Sequence, residues 1–113
     1  MPTQVKNQVV KNIGTSPTII CQTDNSIKIT IIGISLTNLI DRINYIDITL
    51  EDNGVTTYYL KNTVVPFNSS LRAVSTGEKL VLNYNNILRV SAIHEESIDA
   101  IVSYAEIIEW VII

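Results

Sequence analysis

The sequence predicts an all-β domain, a single antiparallel sandwich of about eight strands arranged as a jelly roll or an Ig-like stack. Three observations carry that expectation. The chain is rich in Ile, Val and Thr and has only four Ala, and β-branched side chains suit a pleated surface better than a helix. Short alternating segments recur between clusters of Asn, Asp, Ser, Gly and Pro, the pattern of sandwich strands separated by turns. A length of 113 residues is enough for one core that needs no disulfide or metal staple.

Strands are expected near 5–13, 18–22, 27–38, 45–51, 55–64, 70–75, 79–83 with 87–92, and 97–108. The breakers are Gly14 to Pro17, Asp24 to Ser26, Asn38 to Asn44, Asp52 to Gly54, Pro66 to Ser69, Thr76-Gly77 and Asn83 to Asn86, all rich in residues that accept turn dihedrals. The sandwich domain is placed at 1–108, with 109–113 as an apolar tail.

The stretch IKITIIGISLTN carries an irregularity. Ile27, Ile29 and Ile31 alternate, and then Ile32, Ile34 and Leu36 carry the alternation onward one step out of phase. One extra residue followed by a glycine is what a β-bulge or sandwich corner needs, so a kink is expected at Ile31 to Gly33. The rival reading is a strand buried on both faces.

In YIDITLEDNGVTTYYLKN, a two-residue Asn53-Gly54 turn would set Ile46 against Lys61. A three-residue loop with Gly54 left-handed pairs Leu50 with Thr56, Ile48 with Tyr58 and Ile46 with Leu60, and burial favours it. It also puts Asp47 beside Tyr59 and Tyr45 beside Lys61 on the outer face. The closing SIDAIVSYAEII fits a strand by alternation and a helix capped by Ser97 by another count; its Ile and Val content selects the strand.

The net charge is −3, with Lys and Arg scattered, so there is no basic stripe for nucleic acid. The start MPTQVKNQVV is not a secretory signal, and no charge-free apolar run has membrane-spanning length, so no membrane partner is expected. Cys21 stands alone, which favours a reducing cytosol during assembly.

Catalytic groups are sparse. His94, the one imidazole, stands with Glu95 and Glu96 in HEES, where a solvated turn outweighs a base with its carboxylate. No Cys and His cluster suits zinc, no acidic loop has calcium spacing, and four glycines form no phosphate loop. No cofactor, no metal and no enzymatic activity are expected. The candidate residues are instead interfacial. Trp110, Val111, Ile112 and Ile113 end the chain as a cluster that a monomer would expose unless it folds back on its own sandwich. Tyr45 and Tyr59 are assigned to one outer face, as a contact patch or as a stacking platform for glycans with Asp47 accepting sugar hydroxyls.

The segments QVVKNIGTSPT, ITIIGISLTN, DNGVTTYYLKNTVVP, GEKLVLNYNNILRVSA and SIDAIVSYAEI, in that order over about 5–107, resemble the small β-sandwich virion proteins of tailed bacteriophages. The chain departs from that pattern at Thr23-Asp24-Asn25-Ser26 and Pro66-Phe67-Asn68-Ser69, where such chains often carry Pro-Ala-Gly turns, and at the closing EWVII. The resemblance implies a structural subunit of the particle, a capsid decoration or a neck or tail accessory protein. Its partners would be further copies of itself and other virion proteins, and it would be assembled in the host cytoplasm. Residues 109–113 and the two tyrosines would be contact points.

Overall fold

The computed structural model describes residues 3–74 and 77–108, with side chains from 4 to 107 in those spans. Nine strands follow one another: β1 (Thr3–Ile13), β2 (Thr18–Gln22), β3 (Ile27–Asn38), β4 (Asn44–Asp52), β5 (Val55–Val65), β6 (Ser70–Val74), β7 (Leu80–Leu82), β8 (Asn86–Ala92) and β9 (Ile98–Ile108). They form two antiparallel sheets packed as a sandwich. One runs β1-β9-β3-β6 with β7 also beside β3, and the other runs β2-β8-β4-β5. The body is elongated, 56 × 28 × 22 Å.

Alternation decides the core. Ile29, Ile31, Ile34 and Leu36 from β3, with Ile98, Ala100 and Val102 from β9, are buried against Ile46, Ile48, Leu88 and Val90 of the other sheet. Burying such aliphatic side chains contributes roughly 1.5–3 kcal/mol each. The segment 98–108 is a strand, as its composition predicts, and it lies second from the edge of its sheet, between β1 and β3. The stretch expected as a single unit, 79–83 with 87–92, divides: β7 joins β3, and β8 crosses to the other sheet between β2 and β4.

The expected kink is present. The β3–β9 register slips between Ile31 and Gly33, so Ile32 is the extra residue. It points outward while Ile31 and Ile34 stay buried on either side of it, which corrects its expected place in the same phase as Ile34 and Leu36: the extra residue of a bulge has no partner in the ladder.

The β4–β5 hairpin corrects the three-residue loop. Asp52 pairs with Val55 across a two-residue turn, and Asn53 and Gly54 both take positive φ, 52° and 80°, as a type I′ turn requires. Burial is rescued further along. Tyr59 is an extra residue between the pairs Thr49↔Tyr58 and Ile48↔Leu60, and Lys61 with Asn62 oppose Asp47 alone before Ile46↔Thr63. Asn62 takes φ 51°, and its N–H donates to the Asp47 carboxylate at 2.7 Å. The twist of the Asn-Gly turn thus sets the register, and two bulges reset the phase.

Three buried asparagines hold the connections. At one end of the sandwich, the Asn38 amide donates to the carbonyls of Arg42 (2.8 Å), Val65 (3.1 Å) and Pro66 (3.2 Å), and its oxygen accepts the Ile40 N–H at 3.2 Å. Beside it Asn44 donates to the Ser97 hydroxyl at 2.8 Å, and that hydroxyl donates to the His94 carbonyl at 2.7 Å. At the other end Asn86 accepts from the Asn83 N–H at 3.0 Å and donates to the Tyr84 carbonyl at 3.3 Å. No buried side-chain polar atom among the described residues lacks a partner, as buried polar groups demand.

Candidate functional site

The register of the five-stranded sheet places its outward side chains in rows. One row is Val5, Ala105, Thr30 and Val81, and another is Val9, Ile101, Ser35 and Arg72. Between them run Asn7, Ser103 and Gly33, with Ile32 from the bulge alongside. Val5 and Val9 are 74% and 64% exposed, and Ile32, Val81 and Ile101 are about half exposed. Five large apolar residues thus stand in water on one face of one sheet, the kind of cluster that marks an interaction surface.

The middle row sinks where Gly33 and Ser103 offer little side chain. A hollow of about 440 Å³ opens there, lined by Ile32 and Ile101 on the apolar side and by Arg72, Glu78 and Lys79 on the charged side. It follows from the bulge, which interrupts the edge of β3 between the stretch paired with β7 (Ile29 to Ile31) and the stretch paired with β6 (Ile34 to Thr37).

The free edge of this sheet is β1. From Gln4 to Val9 every side chain is exposed, and the strand pairs on one side only, with β9. Its register is unbroken from Thr3 to Val10 and then slips toward Ile13. There Asn12 takes φ 58°, with its N–H held by Asp99 at 2.9 Å. Lys6 is committed sideways to Glu106 at 3.3 Å. The long edge on the other sheet, β5, is blunted by its two bulges, and β2 is only five residues long. Bulges and shortness are what keep edges from pairing, so β1 is the long, regular, uncovered edge among the described strands.

The tyrosines assigned to one outer face are separated. Tyr45 points outward opposite Val64, whereas Tyr59 packs against the core, its hydroxyl 3.5 Å from the Ala73 carbonyl on the other sheet. Burial, with Glu78 nearby, raises the Tyr59 pKa. The two rings do not make a shared platform, and Asp47 is engaged by Asn62. Tyr58 is exposed as well, with the Lys61 ammonium 4.8 Å from its centre. Residues Trp110, Val111, Ile112 and Ile113 lie outside the described residues.

His94, Glu95 and Glu96 do not line the hollow. The Glu95 carboxylate accepts the Thr15 N–H at 2.8 Å and the Thr15 hydroxyl, and these bonds lower its pKa. Glu96 is an exposed turn residue with φ 48°. Among the described residues no group of three or more His, Cys, Asp or Glu could hold a metal ion. Burial pushes the Cys21 thiol up to about 11.

The Val5 to Val9 edge is absent from the sequence expectation. Its signal was available in VKNQV, which reads nearly the same in both directions about Asn7. Compared with known protein families, with curated proteins and with solved structures, the chain matches none.

Proposed function

We propose that this protein is a structural, non-enzymatic subunit of a tailed-phage virion, a capsid decoration or a neck or tail accessory protein. It acts by burying its surface against further copies of itself and against other virion proteins. The observation that carries the reading is the uncovered β1 edge continuous with an apolar outer sheet face. Such an edge is a template for another strand, and pairing with a further copy in a closed symmetric assembly satisfies it. The virion setting is suggested by the order of the sequence segments that resemble those of small phage β-sandwich proteins. The apolar tail, residues 109–113, is assigned a contact role in the same assembly.

Three measurements test the proposal. Light scattering on the purified full chain should give a mass above the 12.6 kDa protomer, and deletion of 109–113 should leave the sandwich folded while lowering self-association or uptake into particles. Proteomics of purified particles should find the chain in many copies per virion. A monomer at every concentration, together with absence from particles, would refute the reading.

A further inference from the structure

We propose that two copies of this chain pair through β1, antiparallel to itself about a two-fold axis at Asn7. This rests on the structural-subunit reading above and names its partner surface. In that register residue 5 faces 9′ of the second copy, 6 faces 8′, and Asn7 faces Asn7′. On the outer face Val5 meets Val9′ and Val9 meets Val5′; on the inner face Lys6 meets Gln8′ and Gln4 meets Val10′. The overlap, Gln4 to Val10, lies wholly within the stretch of β1 whose pairing with β9 is unbroken.

Neighbouring registers are worse. Because side chains alternate, a two-fold normal to the sheet allows only shifts that keep outward residues opposite outward ones. Moving the axis to Lys6 sets Lys6 against Lys6′, a like-charge pair, and Val5 against Asn7′. Moving it to Gln8 sets Val5 against Lys11′ and Asn7 against Val9′. The Asn7 axis matches both valine pairs and opposes no like charges. Nothing among the described residues covers the edge, and an isologous pairing of this kind closes without leaving an open filament.

The pairing joins two five-stranded sheets into one. It also brings Ala105 and Val5 of one copy against Val9′ and Ile101′ of the other, so the separate apolar rows merge into a strip across the junction.

Variants of the full chain with one added cysteine test this, with the wild type as control because its own thiol, Cys21, is buried. Cα atoms directly opposite in an antiparallel pair lie about 4.5–5.5 Å apart, within disulfide reach. Asn7→Cys should oxidise to a cross-linked dimer. Val5→Cys and Val9→Cys should each stay uncross-linked alone and form a mixed dimer when combined. In uncross-linked protein, Gln8→Lys should weaken dimerisation about fivefold, less so in high salt, and Gln8→Glu should strengthen it. Failure of Asn7→Cys to cross-link, or cross-linking of Val5→Cys alone, overturns the inference. If the wild type still self-associates in that case, the structural-subunit reading survives; a wild type that is monomeric throughout removes the self-association in both.

Discussion

Replacing Asn38 with alanine removes the group that ties the β3–β4 and β5–β6 connections together. The side chain is 2% exposed and makes contacts of 2.8 to 3.2 Å with three carbonyls and one N–H. Two amide hydrogens serve those carbonyls, so truncation strips at least two donors and one acceptor from a dry site. A hydrogen bond nets about 0.5–1.5 kcal/mol, and a partner left buried and unpaired costs about 1–3 kcal/mol. The loss is therefore about 3 kcal/mol, a large share of the ~5–15 kcal/mol stability of a typical domain. For a chain of this size it corresponds to a fall in Tm of roughly 10 °C, or to a drop of about 2 M in the urea midpoint, followed by far-UV circular dichroism.

The Asn38→Asp variant adds a pH signature. A carboxylate facing the carbonyl oxygens of Arg42, Val65 and Pro66 is disfavoured in the folded state, so its folded pKa rises above the unfolded value of about 3.9. The native state then holds the proton more tightly. Stability falls as pH rises from the unfolded pKa through the folded one, and the full penalty is present at neutral pH. Asn38→Asp should regain stability on acidification relative to the wild type. A loss below about 0.5 kcal/mol for Asn38→Ala, well under the magnitude of even one unpaired buried group, would refute the claim that this amide clamps the loops.

Deleting Ile32 should regularise β3 against β9 and preserve every inward side chain; deleting Ile34 instead moves Gly33 into the inward place between Ile31 and Leu36 and loses a buried Ile side chain, a cost of about 2–5 kcal/mol, and a clearly lower urea midpoint in that variant is the expected contrast. The Cys21 thiol, buried and raised to about 11, should resist a thiol reagent at pH 8 until the protein unfolds, and rapid labelling of native protein would contradict its placement. The Glu95 carboxyl, lowered by its bonds to Thr15, should titrate by NMR below its ordinary value and move back up in Thr15→Val. Because that pKa is depressed on folding, its stabilising contribution is present above the unfolded pKa and is lost as pH falls through the folded one.

The amino-acid sequence by itself determined the fold class, most of the strand positions and a kink between Ile31 and Gly33. Each of these is written in local alternation: a period of two marks a strand, and a slip of one residue beside Gly33 marks a bend, whatever the neighbours are. The two slips that reset the β4–β5 register were decided only by tertiary structure. The type I′ turn is a local feature, but the bulges at Tyr59 and Asn62 depend on the Asp47 carboxylate across the ladder and on which face of β5 the core accepts. The separation of Tyr45 from Tyr59 follows from the two-residue turn, which sets Tyr59 on the inward side of β5 while Tyr45 points outward on β4. Strand order was likewise invisible in the chain, because β1, β3 and β9 are brought together by burial between segments far apart in sequence. That order left β1 at an edge and turned Val5 and Val9 to the solvent, since alternation says which residues share a side of a strand and only the packed neighbours say which side is wet.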